Sequence, residues 1–141
     1  MNRLLILALF SILSFSAIAG EKAPLPIKLT TAKTAFLVND GVSAKLFDKV
    51  YSELTKWKRF RMVETGQDAD IIVTLGHGAT SGAFAGSNGI AMGAVVSDIS
   101  LRITDAKDNT PLWGDTMDGG HSAWYAGGTL VSHLRKRMDN K

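Results

Sequence analysis

The residues with chemical potential concentrate in one uncharged stretch, GHGATSGAFAGSNGIAMG, over 76–93. It holds six glycines, with His77, Ser81 and Ser87 among them. Glycines at 76, 78 and 82 come within one residue of a dinucleotide-binding G-x-G-x-x-G, and no G-K-[ST] follows, so neither that fingerprint nor a P-loop is present. Generic anion binding stays open, because the stretch follows a strand pattern. Around Ser87, AGSNG imitates a hydrolase nucleophile elbow with alanine in the first position, but a chain this short lacks the large α/β sheet that the elbow needs. Gly78, Gly82 and Gly86 lie four apart, a spacing that lets apolar helices approach closely in a membrane. In a water-exposed helix, however, six glycines at about 1 kcal/mol each would cost about 6 kcal/mol, comparable to the stability of a whole domain. The balance favours a loop, or an extension ordered by a partner or a membrane.

Elsewhere the candidate groups are scattered. His77, His121 and His133 show no H-E-x-x-H and no short ligand pair, and the chain has no cysteine, so no metal or other cofactor is expected. Asp115 and Asp118 could form a carboxylate pair, with an exposed hairpin end as the plainer reading. Trp124 and Tyr125, beside Gly127 and Gly128, either border a pocket or, in the reading preferred for Trp124, pack into the core. The basic clusters KWKRFR (56–61) and RKR (135–137) come without a nucleic-acid motif, so nucleic acid is not an expected partner.

These residues must be positioned by the elements around them. EKAPLPIKL (21–29), with two prolines and no period, predicts an extended lead-in over 20–32. KTAFLVN (33–39) predicts a strand ended by Asn39-Asp40-Gly41. Val42, Leu46, Val50 and Leu54 recur every fourth residue, with Phe47, Tyr51 and Trp57 widening the stripe, which predicts an amphipathic helix. RFRMVET and DADIIVTLG predict two strands, the second apolar enough to be covered on both faces. After the glycine-rich stretch, Ile99, Leu101 and Ile103 alternate with polar residues, and DAKDN then turns the chain into TPLWGDTM, a hairpin. A last helix runs from Ser122 through Val131, Leu134 and Met138 to a basic end. The order β-α-β-β-β-β-α predicts an α+β two-layer sandwich: about five strands in a mixed sheet, with two helices mainly on one face, over 33–138.

The first residues carry an address pattern. Arg3, an apolar run from Leu4 to Phe15 and Ala17-Ile18-Ala19 predict a signal peptide over 1–19, cleaved between Ala19 and Gly20. Its removal leaves about 120 residues, one domain, exported to the periplasm or secreted. Without a cysteine at the expected cleavage point, no lipid anchor is expected.

FLVNDGVSAKLFDKVYSEL, KRFRMVETGQDADIIVTLG and SLRITDAKDNTPLWGDT, in this order, resemble a group of bacterial envelope domains. The group includes the N-terminal domain of TolB, the curli secretion lipoprotein CsgG and the penicillin-binding-protein activator LpoB. The resemblance covers about 33 to 137 and implies an envelope binding or scaffolding domain rather than a catalyst. The missing lipobox cysteine and the glycine-rich insertion set this chain apart, and no functional residue set carries over.

The expected function is therefore a non-enzymatic module that contacts a partner through the loop 76–94, with candidate residues His77, Gly78, Ser81, Gly82, Phe84, Gly86, Ser87 and Asn88. The expected partner is an envelope protein or the peptidoglycan-associated machinery, with peripheral membrane contact and the oligomeric state left open. Two alternatives stand beside it: a small ligand-binding protein or hydrolase with a loop-lidded site near His77, Ser81, Ser87 and His121, and a membrane-inserting oligomer.

Overall fold

The computed structural model describes residues 23–78, 98–118 and 120–140. Five strands form one mixed sheet: β1 (Thr34–Asp40), β2 (Arg61–Met62), β3 (Ile71–His77), β4 (Ile99–Asp105) and β5 (Pro111–Met117), in the spatial order β2-β1-β3-β4-β5. β1 runs parallel to both β2 and β3, while β3–β4 and β4–β5 are antiparallel. Two long helices, α2 (Ala44–Trp57) and α3 (Ala123–Asp139), pack on one face, and a short helix, α1 (Ile27–Thr31), precedes β1. This is the expected α+β architecture in the expected order, with one small helix added.

Local chemistry sets the boundaries. After β1 the Asn39 side chain brackets Val42, accepting from its amide at 2.9 Å and donating to its carbonyl at 3.1 Å, while Gly41 takes φ 85°. That left-handed turn is one that glycine adopts without a Cβ clash. Ser43 then caps α2, its hydroxyl accepting from the Leu46 amide at 3.3 Å. Lys58, left-handed at φ 58°, ends the helix. Ser122 caps α3 in the same way through the Tyr125 amide, and Lys136 and Arg137 in its last turn complement the helix dipole.

One face of the sheet and the inner faces of the helices make the core. Ala35, Leu37, Ile71, Val73, Leu75, Ile99, Leu101 and Ile103 meet Leu46, Val50 and Leu54 of α2 and Ala126, Leu130, Val131 and Leu134 of α3. The four-residue stripe from Val42 to Leu54 is buried as the periodicity predicts. α2 and α3 also pack on each other closely at Gly127, where a Cβ would stand 3.1 Å from Leu46 Cδ1 and from Lys49 Cγ.

Several expectations need correction. The lead-in is not extended throughout: the Pro26 carbonyl accepts the Leu29 and Thr30 amides, and Leu29 is fully buried. α1 is held at the far ends of the long helices, because Arg59 donates to the Thr30 carbonyl and Arg137 to the Ala23 carbonyl. β3 is not covered on both faces; Ile71, Val73 and Leu75 are buried, but Ile72 and Thr74 on the other side are half-buried. There the turn at Gly66 lies against Phe36 and Ile72. β2 pairs over two residues only, though Phe60 beside it is buried. Tyr51 and Trp124 are exposed rather than part of the core.

Carboxylates tie the end of the sheet near α1. Asp70 accepts the Lys33 amide at 2.8 Å and the Thr34 amide at 3.1 Å, and these bonds, first Lys33 and then Thr34, hold its carboxyl below the usual value. Asp105 accepts from the Lys107 and Asp108 amides in the β4–β5 hairpin, where Asn109 is left-handed, and pairs with Lys28 of α1 at 3.1 Å. Because the folded-state value of Asp70 is depressed, its stabilisation is present above the unfolded-state value of about 3.9 and lost as pH falls through the folded one. The expected result is that Asp70→Asn destabilises at pH 7 and that the gap to the unmodified chain narrows by pH 3 in urea melts.

Candidate functional site

The β3–β4 ladder runs to its end without a break: His77 pairs with Ile99, and beyond it the Gly78 amide donates to the Asp98 carbonyl at 2.6 Å. The glycine-rich segment therefore leaves and re-enters the sheet through a two-stranded neck. Space there is tight for anything larger than glycine. A Cβ on Gly78 would stand 3.0 Å from Asp98 Cβ and 3.1 Å from Thr116 Cγ2, and one on Gly76 would stand 3.2 Å from Asp40 Cβ.

The neck shares its end of the sheet with the starts of both long helices. β1, paired at Asp40 with Gly76, leads directly into α2, and β5, paired at Met117 with Ile99, leads into α3. His77 Nε2 meets the Gly41 carbonyl at 3.2 Å and joins the neck to the α2 entry. The first turn of α3 presents Trp124 and Tyr125, each 56 % exposed. The Lys49 ammonium of α2 lies 4.1 Å from the centre of the Trp124 ring, and His121 packs on Tyr125 with ring centres 5.1 Å apart. Exposed aromatic side chains are a residue type enriched in protein contact surfaces.

Next to the neck, on the sheet face away from the helices, a recess of about 450 Å³ is lined by His77, Gly78, Ser100, Arg102, Gly114, Asp115 and Thr116. The Ser100 hydroxyl is buried there and has no hydrogen-bond partner among the described residues. Arg102 stands 3.6 Å from Asp40, both well exposed, which makes that pair a weak one.

Of the eight candidate residues in the loop, the structure places His77 and Gly78 at the neck; Ser81, Gly82, Phe84, Gly86, Ser87 and Asn88 lie outside the described residues, as do Ala19 and Gly20. The hydrolase alternative expects His77 and His121 to converge, but the recess that His77 lines does not include His121. Asp115 and Asp118 do not form a carboxylate pair either. Asp118 accepts the Gly120 amide at 3.0 Å, whereas Asp115 pairs across to α3, with His133 Nδ1 2.6 Å from its Oδ2. Sequence reading missed that Asp–His contact, since nothing local links residues eighteen positions apart in different elements. Among the described residues, no group of three or more His, Asp or Glu side chains is placed to hold a metal, and no helix is long and apolar enough to cross a membrane.

No family model and no curated protein sequence matches the chain. Solved structures that align with the chain include TolB from Acinetobacter baumannii, at 12 % identity and a TM-score of 0.50 over 84 % of this chain and 30 % of that one. They also include a PelC dodecamer from Paraburkholderia phytofirmans, at 9 % identity and a TM-score of 0.43 over 82 % and 92 % of the two chains. A third is the lipoprotein GNA1162 from Neisseria meningitidis, at 10 % identity and a TM-score of 0.36 over 77 % and 99 %. This chain thus spans under a third of TolB's length, and at 12 % identity the likeness to TolB is one of fold. TolB, one of the proteins that the sequence pattern resembles, recurs among them.

Proposed function

We propose that the chain is an exported, non-enzymatic α+β module that contacts another component of the bacterial cell envelope through the segment 76–94. The observation that carries this reading is the placement of the neck. The ladder from Ile71 to Gly78 gives an uncharged, glycine-rich segment a firm base at the end of the sheet where Trp124 and Tyr125 are exposed. Aromatic side chains supply contact area at low entropic cost, and a glycine-rich sequence gives the backbone conformations that other residues disfavour. The address pattern over 1–19 and the likeness in fold to TolB support the envelope as the setting. The partner we favour is a protein of the envelope, the peptidoglycan-associated machinery included.

Excising 79–97 and joining Gly78 to Asp98 by a two-residue Asn-Gly turn tests the assignment, because the neck already brings these residues together. Shortening the connection reduces the entropic cost of closing it, so the unfolding free energy is expected to hold or to rise by about 1–2 kcal/mol. Capture of the partner in cells is expected to be lost. A stable excision variant that still captures the same partner would remove the segment from the contact.

A further inference from the structure

A second surface lies on the flank of the molecule. β5 is the outermost strand, and on its far side no strand pairs with it among the described residues. Between β5 and α3 runs a groove of about 460 Å³, lined by Trp113, Gly114 and Asp115 of the strand and by His133, Lys136 and Arg137 of the helix, with Asn140 at its end. An edge strand beside a helix is the geometry in which an extended peptide adds to a sheet, backbone to backbone, with its alternate side chains in the groove.

The lining indicates what kind of peptide. Asp115 is the one carboxylate among these residues, and it is already engaged: Oδ2 with His133 at 2.6 Å and Oδ1 with the Thr116 amide at 2.9 Å. Of the two cations on the helix wall, Arg137 already donates to the Ala23 carbonyl, a neutral acceptor that leaves its charge without a carboxylate in the groove, and Lys136 is exposed. Trp113, half-buried, offers an indole face at the strand wall. Gly114 between them adds no side chain to the strand, which leaves its backbone open to close approach. We propose that this groove receives an extended acidic segment of a partner protein, which lies along β5 and sets a carboxylate against Lys136 and Arg137. Charge complementarity chooses the occupant: a neutral or basic segment would leave the cations of the helix wall unmatched. The groove shares Gly114 and Asp115 with the recess beside the neck but extends away from it, since Trp113 pairs with Ile103 toward the β4–β5 hairpin and Lys136 and Arg137 stand in the last turn of α3.

Selection of phage-displayed random twelve-residue peptides on the purified protein tests this. The expected winners carry Asp or Glu at a recurring position within an alternating apolar–polar pattern. Synthetic copies are expected to slow hydrogen exchange at the β5 amides and to bind about tenfold or more weakly to Lys136→Glu, as loss of a charge-assisted contact entails. Lys136 is exposed, so the variant is expected to fold, which a thermal melt verifies. Four results would overturn the proposal: no enrichment, enrichment of peptides without acidic residues, binding indifferent to Lys136→Glu, or binding that leaves β5 exchange unchanged. The last of these, if inorganic phosphate competes, would assign the groove to free anions instead.

Discussion

Gly127→Leu is expected to lower the unfolding free energy by about 3 kcal/mol, whereas Gly127→Ala should stay within about 1 kcal/mol of the unmodified chain. The difference comes from how closely α2 and α3 approach. A single Cβ at this position meets Leu46 Cδ1 and Lys49 Cγ at 3.1 Å and Val50 Cγ2 at 3.2 Å, all side-chain atoms with some freedom to yield. For alanine, the strain of that small displacement is offset by about 1 kcal/mol of helix propensity gained over glycine. Leucine adds three more carbons directed at α2, and the two helices would have to separate over Leu46 and Val50, both buried. Urea unfolding of the two variants reads the effect. A leucine variant as stable as the unmodified chain would show that the helices do not cross at this glycine.

Leu29→Ala is expected to cost about 3 kcal/mol, with a fall in melting temperature of roughly 10 °C. α1 has only five residues and too little of its own hydrogen bonding to persist alone. Its one buried side chain, Leu29, joins the core cluster, and four contacts surround it: Arg59 to the Thr30 carbonyl, Arg137 to the Ala23 carbonyl, and Lys28 to both Asp105 and Asp108. Truncation at Leu29 removes the reason for the segment to stay docked, so proteolysis ahead of β1 is expected to accelerate together with the loss of stability. A change under about 1 kcal/mol, with protection unaltered, would mean that the lead-in lies on the fold without contributing to it.

The fate of Leu29 shows what a sequence pattern can carry. The stripe Val42, Leu46, Val50, Leu54 and the alternation Ile99, Leu101, Ile103 were legible because periodicity over several turns or residues records which face is buried, and all seven are buried. A five-residue helix completes barely more than one turn, so EKAPLPIKL shows no period; its helix exists because Leu29 finds the core. The continuous apolar run in β3 suggested two covered faces, yet only alternate residues are deeply buried, since both long helices lie on one side. Aromatic residues misled for a related reason. Trp124 fits the buried stripe by type, but it stands at the first turn of α3, beyond the sheet's cover, where Lys49 packs on its ring.

The candidate site was legible in part. Glycine spacing and the absence of charge marked 76–93 as an unusual connection between two strands, and the structure adds that these strands are direct antiparallel neighbours. The exposed aromatics beside it, the Asp115–His133 pair and the groove along β5 depend on residues brought together from separate elements. No local pattern encodes such meetings, because they are set by the sheet order rather than by neighbouring residues.

Photocrosslinking in living cells, from a reactive side chain placed in turn at positions 78–90, tests the proposed contact most directly. The account predicts that one envelope protein is captured from several of these positions, and that capture falls when Trp124 and Tyr125 are replaced by serine. Capture from β2, at the opposite edge of the sheet, should be absent. Positions 78–90 that yield no adduct, or only lipid, while the protein is folded and exported, would contradict it.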